Sequence, residues 1–260
     1  MIGVFDSGAG GLAILREIKR LLPGMDTTYL ADTAAFPYGN KSPELVRERC
    51  TKISRLLIGR GAKVLVIACN TATVVAVEHL RSAFQIPFVG VEPAVKVAAA
   101  NGSTGKIAVL MTANTAEGAK YASLVERHAA GHKLRPVVIG MLAAVVEDGS
   151  FRRREVAEQI KQEVKAQLGE LPPGSQVVLG CTHYIFLKSI LQTALGEGVE
   201  ILEPSAAVAR QVQRVLGASV SSMNQAVHTL LATSPDGLGN ALAAGLAGDT
   251  APQCEHVILS

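Results

Sequence analysis

The sequence has no tryptophan, and aromatic residues are only 4% of it, so any core must be aliphatic. Charged residues are sparse at 18% against 48% hydrophobic, which excludes a disordered chain and calls for a sizeable buried core. Basic and acidic residues nearly balance, for a net charge of +3. That excess is too small and too evenly spread for a nucleic-acid or membrane-surface footprint. The arginines within Arg152–Glu155 read as the solvated start of a helix. Long hydrophobic runs are missing as well. Met1–Phe5 ends at Asp6, too short for a signal peptide, and Pro136–Val146 stops well short of a membrane span. The expectation is a cytoplasmic protein with no membrane partner. The four cysteines, at 50, 69, 181 and 254, include no close pair of the kind that forms a metal knuckle or a redox couple.

What is present is a rhythm. Short, continuous apolar runs recur at Ile2–Phe5, Thr27–Ala31, Val64–Ala68, Phe88–Val91, Ile107–Met111, Arg135–Ile139, Gln176–Gly180 and Glu200–Leu202. Continuous rather than alternating runs predict strands covered on both faces, hence a parallel sheet. Between them lie helical segments at Leu12–Leu22, Pro43–Arg60, Thr73–Phe84, Thr115–His128, Arg152–Leu168, Leu187–Leu195 and Ser205–Leu216. A last strand is expected at Val257–Leu259. With 260 residues, the chain is one large α/β domain or two small ones.

Two segments echo one another. Val-Leu-Val-Ile-Ala leads to Cys69-Asn70-Thr71, and Val-Val-Leu-Gly leads to Cys181-Thr182-His183, 112 residues on. Each is an apolar strand, a small residue, a thiol and a polar pair. Ligands of open α/β sheets sit at the carboxyl ends of strands, where both thiols fall. A thiol at a helix N-terminus also feels the positive end of the helix dipole, which predicts a lowered pKa for Cys69. Taken singly, each Cys also reads as a buried inert thiol beside helix-capping residues. Cys50, in an amphipathic helix, and Cys254, near the tail, lack such a cluster of strand-end polar residues and read as structural.

Other polar residues cluster at strand ends. Asp6-Ser7-Gly8-Ala9-Gly10-Gly11 forms a glycine-rich turn whose N–H groups are expected to offer an anion site, or whose Asp and Ser cap a helix. Its spacing matches neither the dinucleotide-binding fingerprint nor a P-loop. Asp32, Tyr38-Gly39, Glu92, Thr112 and Thr115 also follow strands, and each alone reads as a cap, a core residue or a surface charge. Few cationic residues accompany them. A bound acid is therefore expected to meet hydroxyls and backbone N–H groups rather than an arginine clamp. No lysine stands in a motif suggesting a pyridoxal Schiff base, and no His/carboxylate set has metal spacing. Neither a cofactor nor a metal is expected.

In order, Asp6-Ser7-Gly8-x-Gly10-Gly11, Ala31-Asp32, Pro37-Tyr38-Gly39, Ala68-Cys69-Asn70-Thr71-Ala72-Thr73, Gly90-Val91-Glu92-Pro93, Thr112-x-x-Thr115 and Gly180-Cys181-Thr182-His183-Tyr184 closely resemble the glutamate racemase family of the cofactor-independent aspartate/glutamate racemase superfamily. The resemblance covers nearly the whole chain. It implies two pseudo-symmetric three-layer α/β domains with mainly parallel sheets and the active site in the cleft between them. The first would be residues 1–95 plus 206–260, the second 96–205. It implies interconversion of L- and D-glutamate, supplying D-glutamate for peptidoglycan, with Cys69 and Cys181 as the two catalytic bases. Cys69 would serve the D-isomer and Cys181 the L-isomer, with Asp6 assisting Cys69 and His183 assisting Cys181. Asp6, Ser7, Tyr38, Gly39, Asn70, Thr71, Thr112, Thr115, Thr182 and His183 would hold the substrate, with Asp32 and Glu147 in support. A homodimer is a further implication.

The chain departs from the family pattern at Ile185, where proline is usual, across Met141–Glu147, and at Glu203-Pro204-Ser205, where aspartate is more usual. Three alternatives stand beside this reading. They are a racemase of aspartate or another amino acid, a non-catalytic binding protein of the same fold, and a thiol hydrolase using Cys181 and His183, which leaves Cys69 unexplained.

Overall fold

The computed structural model describes residues 1–101, 105–217, 226–243, 245, 246 and 254–259. In its first part strands β1 (Ile2–Asp6), β2 (Thr27–Ala31), β3 (Val64–Ile67) and β4 (Phe88–Gly90) alternate with helices α1 (Leu12–Leu21), α2 (Pro43–Gly59) and α3 (Asn70–Ala83). A short α4 (Val95–Ala100) leads to β5 (Ile107–Met111), α5 (Ala113–Ala116), α6 (Ala119–Ala129), β6 (Leu134–Val138), α7 (Met141–Glu147), α8 (Arg154–Leu168), β7 (Gln176–Gly180), α9 (Lys188–Leu195) and β8 (Glu200–Leu202). The chain then forms α10 (Ser205–Leu216), β9 (His228–Ala232), α11 (Gly239–Ala243) and β10 (Cys254–His256).

Among the described residues every strand pairing is parallel. One sheet has six strands in the order β10-β9-β2-β1-β3-β4, the other four in the order β6-β5-β7-β8. Within the larger sheet, β2-β1-β3-β4 repeats the order of the smaller one. The weak sequence echo around the two cysteines is thus a topological repeat, with Cys69 after the third strand of one half and Cys181 after the third strand of the other.

Alternation along each strand divides the core. Val64 and Val66 face a large aliphatic cluster that is continuous between the halves and draws in Leu12 of α1, Ile160 of α8, Leu191 of α9 and Val208 of α10. Leu65 and Ile67 face the other way, against Cys50, Ile53 and Leu57 of α2 and Ala76 and Leu80 of α3. In the smaller sheet Ala108 and Leu110 join the shared cluster, while Ile107, Val109 and Met111 pack beside Tyr121 and Leu124. Each sheet is therefore covered on both faces, which explains the continuous apolar runs.

Several elements differ from the sequence expectation. β9 was not foreseen, because His-Thr-Leu-Leu-Ala is short and half polar, yet it pairs with β2 along its full length. The last strand is β10, at Cys254–His256, and 257–259 lies beyond it. Much of the segment between β9's helix and β10 lies outside the described residues. Helix α3 begins at Asn70 rather than Thr73, because Cys69 itself takes the N-cap position. The Thr115–His128 segment breaks at Gly118 into α5 and α6, and the apolar run Pro136–Val146 divides into the end of β6 and α7.

Candidate active site

In a 2-1-3-4 strand order the connections leave the first strand in opposite directions, and the crevice lies beyond the carboxyl ends of the first and third strands. The larger sheet has Asp6 and Ser7 at that point on β1, with Cys69, Asn70 and Thr71 after β3. The smaller sheet has Thr112 after β5, with Cys181, Thr182 and His183 after β7. Both crevices open on the same small, tightly packed cavity, whose accessible volume is about 20 Å³. Asp6, Ser7, Tyr38, Gly39, Cys69, Asn70, Thr71, Thr112, Cys181, Thr182 and His183 all line it. Among the described residues, no lysine or arginine does.

On the first side, Cys69 is buried at the N-cap of α3, and its Sγ accepts from the Ala72 N–H at 3.5 Å. Its Sγ lies 3.9 Å from Ser7 Oγ. Contrary to the expectation of a lowered pKa, the thiol is pushed well up. Burial is the largest cause and the neighbouring Asp6 carboxylate adds to it, outweighing the helix N–H. Asp6 is wholly buried too. Burial raises its pKa, against the lowering effects of His183 and the Ser7 N–H.

The glycine-rich turn also departs from its expected role as an anion site. Asp6 accepts from the backbone N–H groups of Ser7 and Gly11, each at 2.6 Å. Glu147 Oε2 accepts from the Ala9 N–H at 2.7 Å, and the Gly10 N–H points at His183 Nε2 from 3.2 Å. Asp6 and Glu147 thus occupy the Ser7, Gly11 and Ala9 donors, whereas His183 Nε2 can accept from the Gly10 N–H only in its neutral form. The packing leaves no room for a Cβ at two of the glycines. One on Gly8 would meet the Glu147 carboxylate at 2.4 Å, and one on Gly10 the His183 ring at 2.4 Å.

On the second side, Cys181 Sγ lies 3.8 Å from His183 Nδ1. The other ring nitrogen, Nε2, is 2.8 Å from Glu147 Oε2. Burial alone would pull the His183 pKa down. The hydrogen bonds to Cys181 and Glu147 prevail and hold it well above the ordinary value, so the imidazolium is the favoured form. The Phe36 ring packs on the imidazole at 5.3 Å between centroids. Thr182 Oγ1 donates to Asp6 Oδ2 at 3.1 Å, joining the two sides through the cavity wall.

Three predicted residues, Thr115, Asp32 and Glu147, stand behind the cavity rather than on it. Thr115 bonds Thr112 Oγ1 at 2.9 Å and fixes that hydroxyl. Asp32 accepts from the Tyr38 hydroxyl at 2.5 Å, from Thr233 Oγ1 at 2.7 Å, and from both Nε and Nη2 of Arg49. The Tyr38 hydroxyl is therefore committed to Asp32, and what Tyr38 offers the cavity is its ring and backbone. The Phe36–Pro37 peptide before it is cis. Sequence reasoning passed over Phe36, Ala143 and Arg49. Arg49 sits on an amphipathic helix and has the spacing of any surface arginine. Phe36 could have been suspected from its place within the stretch between Asp32 and Tyr38.

Among the described residues, one side chain lining the cavity has polar atoms with no hydrogen-bond partner. Both side-chain polar atoms of Asn70 are buried and unpaired, which is unusual enough to point to a ligand. Among the described residues no three or more His, Cys, Asp or Glu side chains are grouped as metal ligands.

A family model described as Asp/Glu/Hydantoin racemase matches residues 2–212. A glutamate racemase of Ectopseudomonas mendocina is 43% identical over 235 residues, covering 90% of this chain and 85% of its own. A crystal structure of a glutamate racemase isoform from Bacillus anthracis aligns with a TM-score of 0.86 at 30% identity, covering 100% of this chain and 97% of the other. Escherichia coli glutamate racemase, solved in complex with L-glutamate and an activator, aligns with a TM-score of 0.85 at 28% identity, covering 100% and 98%.

Proposed function

The chain belongs to the Asp/Glu/Hydantoin racemase family, and we propose that it is a glutamate racemase whose two bases are Cys69 and Cys181. The observation that carries the reading is the pair of buried thiols at equivalent points of two like halves, both lining one cavity. Racemisation needs a base on one face of the α-carbon and an acid on the other, with roles that reverse with direction. A pseudo-symmetric cleft supplies that arrangement.

Starting from L-glutamate, the Cys181 thiolate, beside the His183 imidazolium, takes the α-proton, and the C–H electron pair stays on the α-carbon. The Cys69 thiol then gives its proton to the opposite face, leaving D-glutamate, a Cys181 thiol and a Cys69 thiolate. Burial favours Cys69 as a thiol, the form this direction requires. Asp6, pushed up by burial, is a stronger base than an ordinary carboxylate and serves to exchange the Cys69 proton in reverse. Ser7, Asn70, Thr71, Thr112 and Thr182 hold the substrate's carboxylates and ammonium. Thr115, Asp32 and Glu147 act behind them. The small volume of the cavity leaves little room for water beside the substrate, which strengthens each of these contacts.

The product supplies peptidoglycan synthesis. Four free cysteines accord with a reducing, cytoplasmic setting, and no helix among the described residues is long and apolar enough to cross a membrane. The domains are taken as 1–95 with 206–260, and 96–205. A homodimer, carried over from the family resemblance, is tested by light scattering.

Circular dichroism with L-glutamate, D-glutamate and both isomers of aspartate tests the assignment. Decay of either glutamate signal to zero, with aspartate far slower, is the expected result. A chain that racemises aspartate and leaves both glutamates unchanged would overturn it.

A further inference from the structure

The side chains that join the two halves around the cavity form two seams. One is buried and ionic, running from the glycine-rich turn to Glu147, Thr182 and His183. The other is neutral. Thr71 Oγ1 meets Thr112 Oγ1 at 3.0 Å, and two residues farther on Asn114 reaches across the cleft. Its Nδ2 donates to the Tyr38 carbonyl at 3.2 Å and to the Lys41 carbonyl at 2.9 Å. Those carbonyls lie at the first residue of the tight turn Tyr38–Asn40 and just after its last. The turn places Tyr38 and Gly39 on the cavity wall, with Gly39 so close to Thr112 that an added Cβ would sit 3.0 Å from the threonine's own.

Within its own half the turn is held by the buried Tyr38 ring and, among the described residues, by the hydrogen bond of the Tyr38 hydroxyl to Asp32, which also pairs with Arg49. From the other half, Asn114 grips its backbone at both ends. We infer that Asn114 is a positioning residue that sets the spacing between the Tyr38–Gly39 wall and the Thr112 wall, and so the tightness with which the substrate is held. It takes no proton and lies outside the cavity lining. Its effect therefore falls on binding rather than on the chemical step.

This inference rests on the racemase reading, and two readouts separate the failure of either. Hydrogen exchange of the ligand-free protein reads the turn without any reaction. In Asn114→Ala the amides of residues 39–41 exchange at least five-fold faster than in wild type, while those of β1 and β3 are unchanged. Steady-state racemisation reads the substrate. KM for glutamate rises roughly ten-fold, about the worth of one or two net hydrogen bonds, with kcat within about two-fold. Asn114→Asp, which keeps the shape and replaces the donor with an acceptor facing two carbonyls, raises KM further. Unchanged exchange at 39–41 in both variants, or a fall in kcat at constant KM, would overturn the role given to Asn114. If wild type does not turn over glutamate, the racemase reading falls and the exchange data alone decide on Asn114.

Discussion

The two halves carry their cysteines at equivalent points of one strand order, yet surround them differently. Cys69 caps a fourteen-residue α-helix and has a carboxyl group, Asp6, beside it. Cys181 precedes a 3-10 turn and has an imidazole, His183, beside it, backed by Glu147. Topology alone would make the faces interchangeable. The neighbours make one thiol the partner of an acid that burial renders a better base, and the other the partner of a preformed cation. Two unlike pairs can reach the same balance because the reaction runs between mirror images of equal free energy.

The largest expected effect comes from removing either thiol. Cys69→Ser and Cys181→Ser each lower racemisation by about 10³-fold, the worth of a general acid or base, measured by circular dichroism. Retention of wild-type rate in either variant would end the equivalence of the halves. Next comes Arg49→Ala, which strips the cation from the wholly buried Asp32 carboxylate on the first side. It costs on the order of 3 kcal/mol in chemical denaturation, because a buried charge loses its partner. Arg60→Ala, breaking the exposed pair with Glu255, costs under about 1 kcal/mol.

Smaller, and specific to one side, is Glu147→Gln. It lowers kcat/KM about ten-fold, and equally in both directions, since enantiomers interconvert with an equilibrium constant of one. The asymmetry appears in isotope effects. With Cys181 acting on the L-isomer, slowing its step raises the α-deuterium effect from L-glutamate and lowers it from D-glutamate. Asp6→Asn shifts the two effects in the opposite sense. A like shift in both variants would remove the division of labour between the sides.

The smallest effect is on stability against pH. Asp6, His183 and Cys69 all have folded pKa values raised above their ordinary 3.8, 6.5 and 9.0. The folded protein therefore holds protons that the unfolded chain releases, and stability falls as pH rises. Each contribution is whole below the ordinary value and is lost between that value and the higher folded one. No single group contributes a slope above about 1.4 kcal/mol per pH unit. His183→Gln should remove the part that begins near pH 6.5, as read by urea midpoints. An unchanged profile would contradict a preformed imidazolium.

Most of the fold was legible because parallel strands buried on both faces leave unbroken apolar runs, as at Ile107–Met111 and Gln176–Gly180. β9 escaped because His-Thr-Leu-Leu-Ala is short and opens on two polar residues, leaving only three apolar positions to mark it. The lining of the cavity was legible as polar residues following strands. The order behind it was not. Periodicity cannot show that the Tyr38 hydroxyl turns to Asp32, that the N–H groups of the glycine-rich turn are taken by Asp6 and Glu147, or that Asn114 crosses to another half's backbone. The Glu147 and Asn114 bonds join segments that only the tertiary fold brings together, and the local bonds of Asp6 and of Tyr38 to Asp32 depend on a turn geometry that periodicity does not encode. The fall expected for the Cys69 pKa failed for a related reason. A helix end lowers a thiol's pKa when solvent is near, and here burial and Asp6 outweigh it.

The most direct test of two opposed thiols is the label in product and substrate when unlabelled L-glutamate reacts in deuterium oxide and is stopped early. The D-glutamate formed should carry deuterium at the α-carbon in every molecule, while the remaining L-glutamate stays protiated, because one thiol removes the proton and the other supplies a solvent-derived one. D-Glutamate that retains the substrate's own proton would mean a single base serving both faces and would contradict the account.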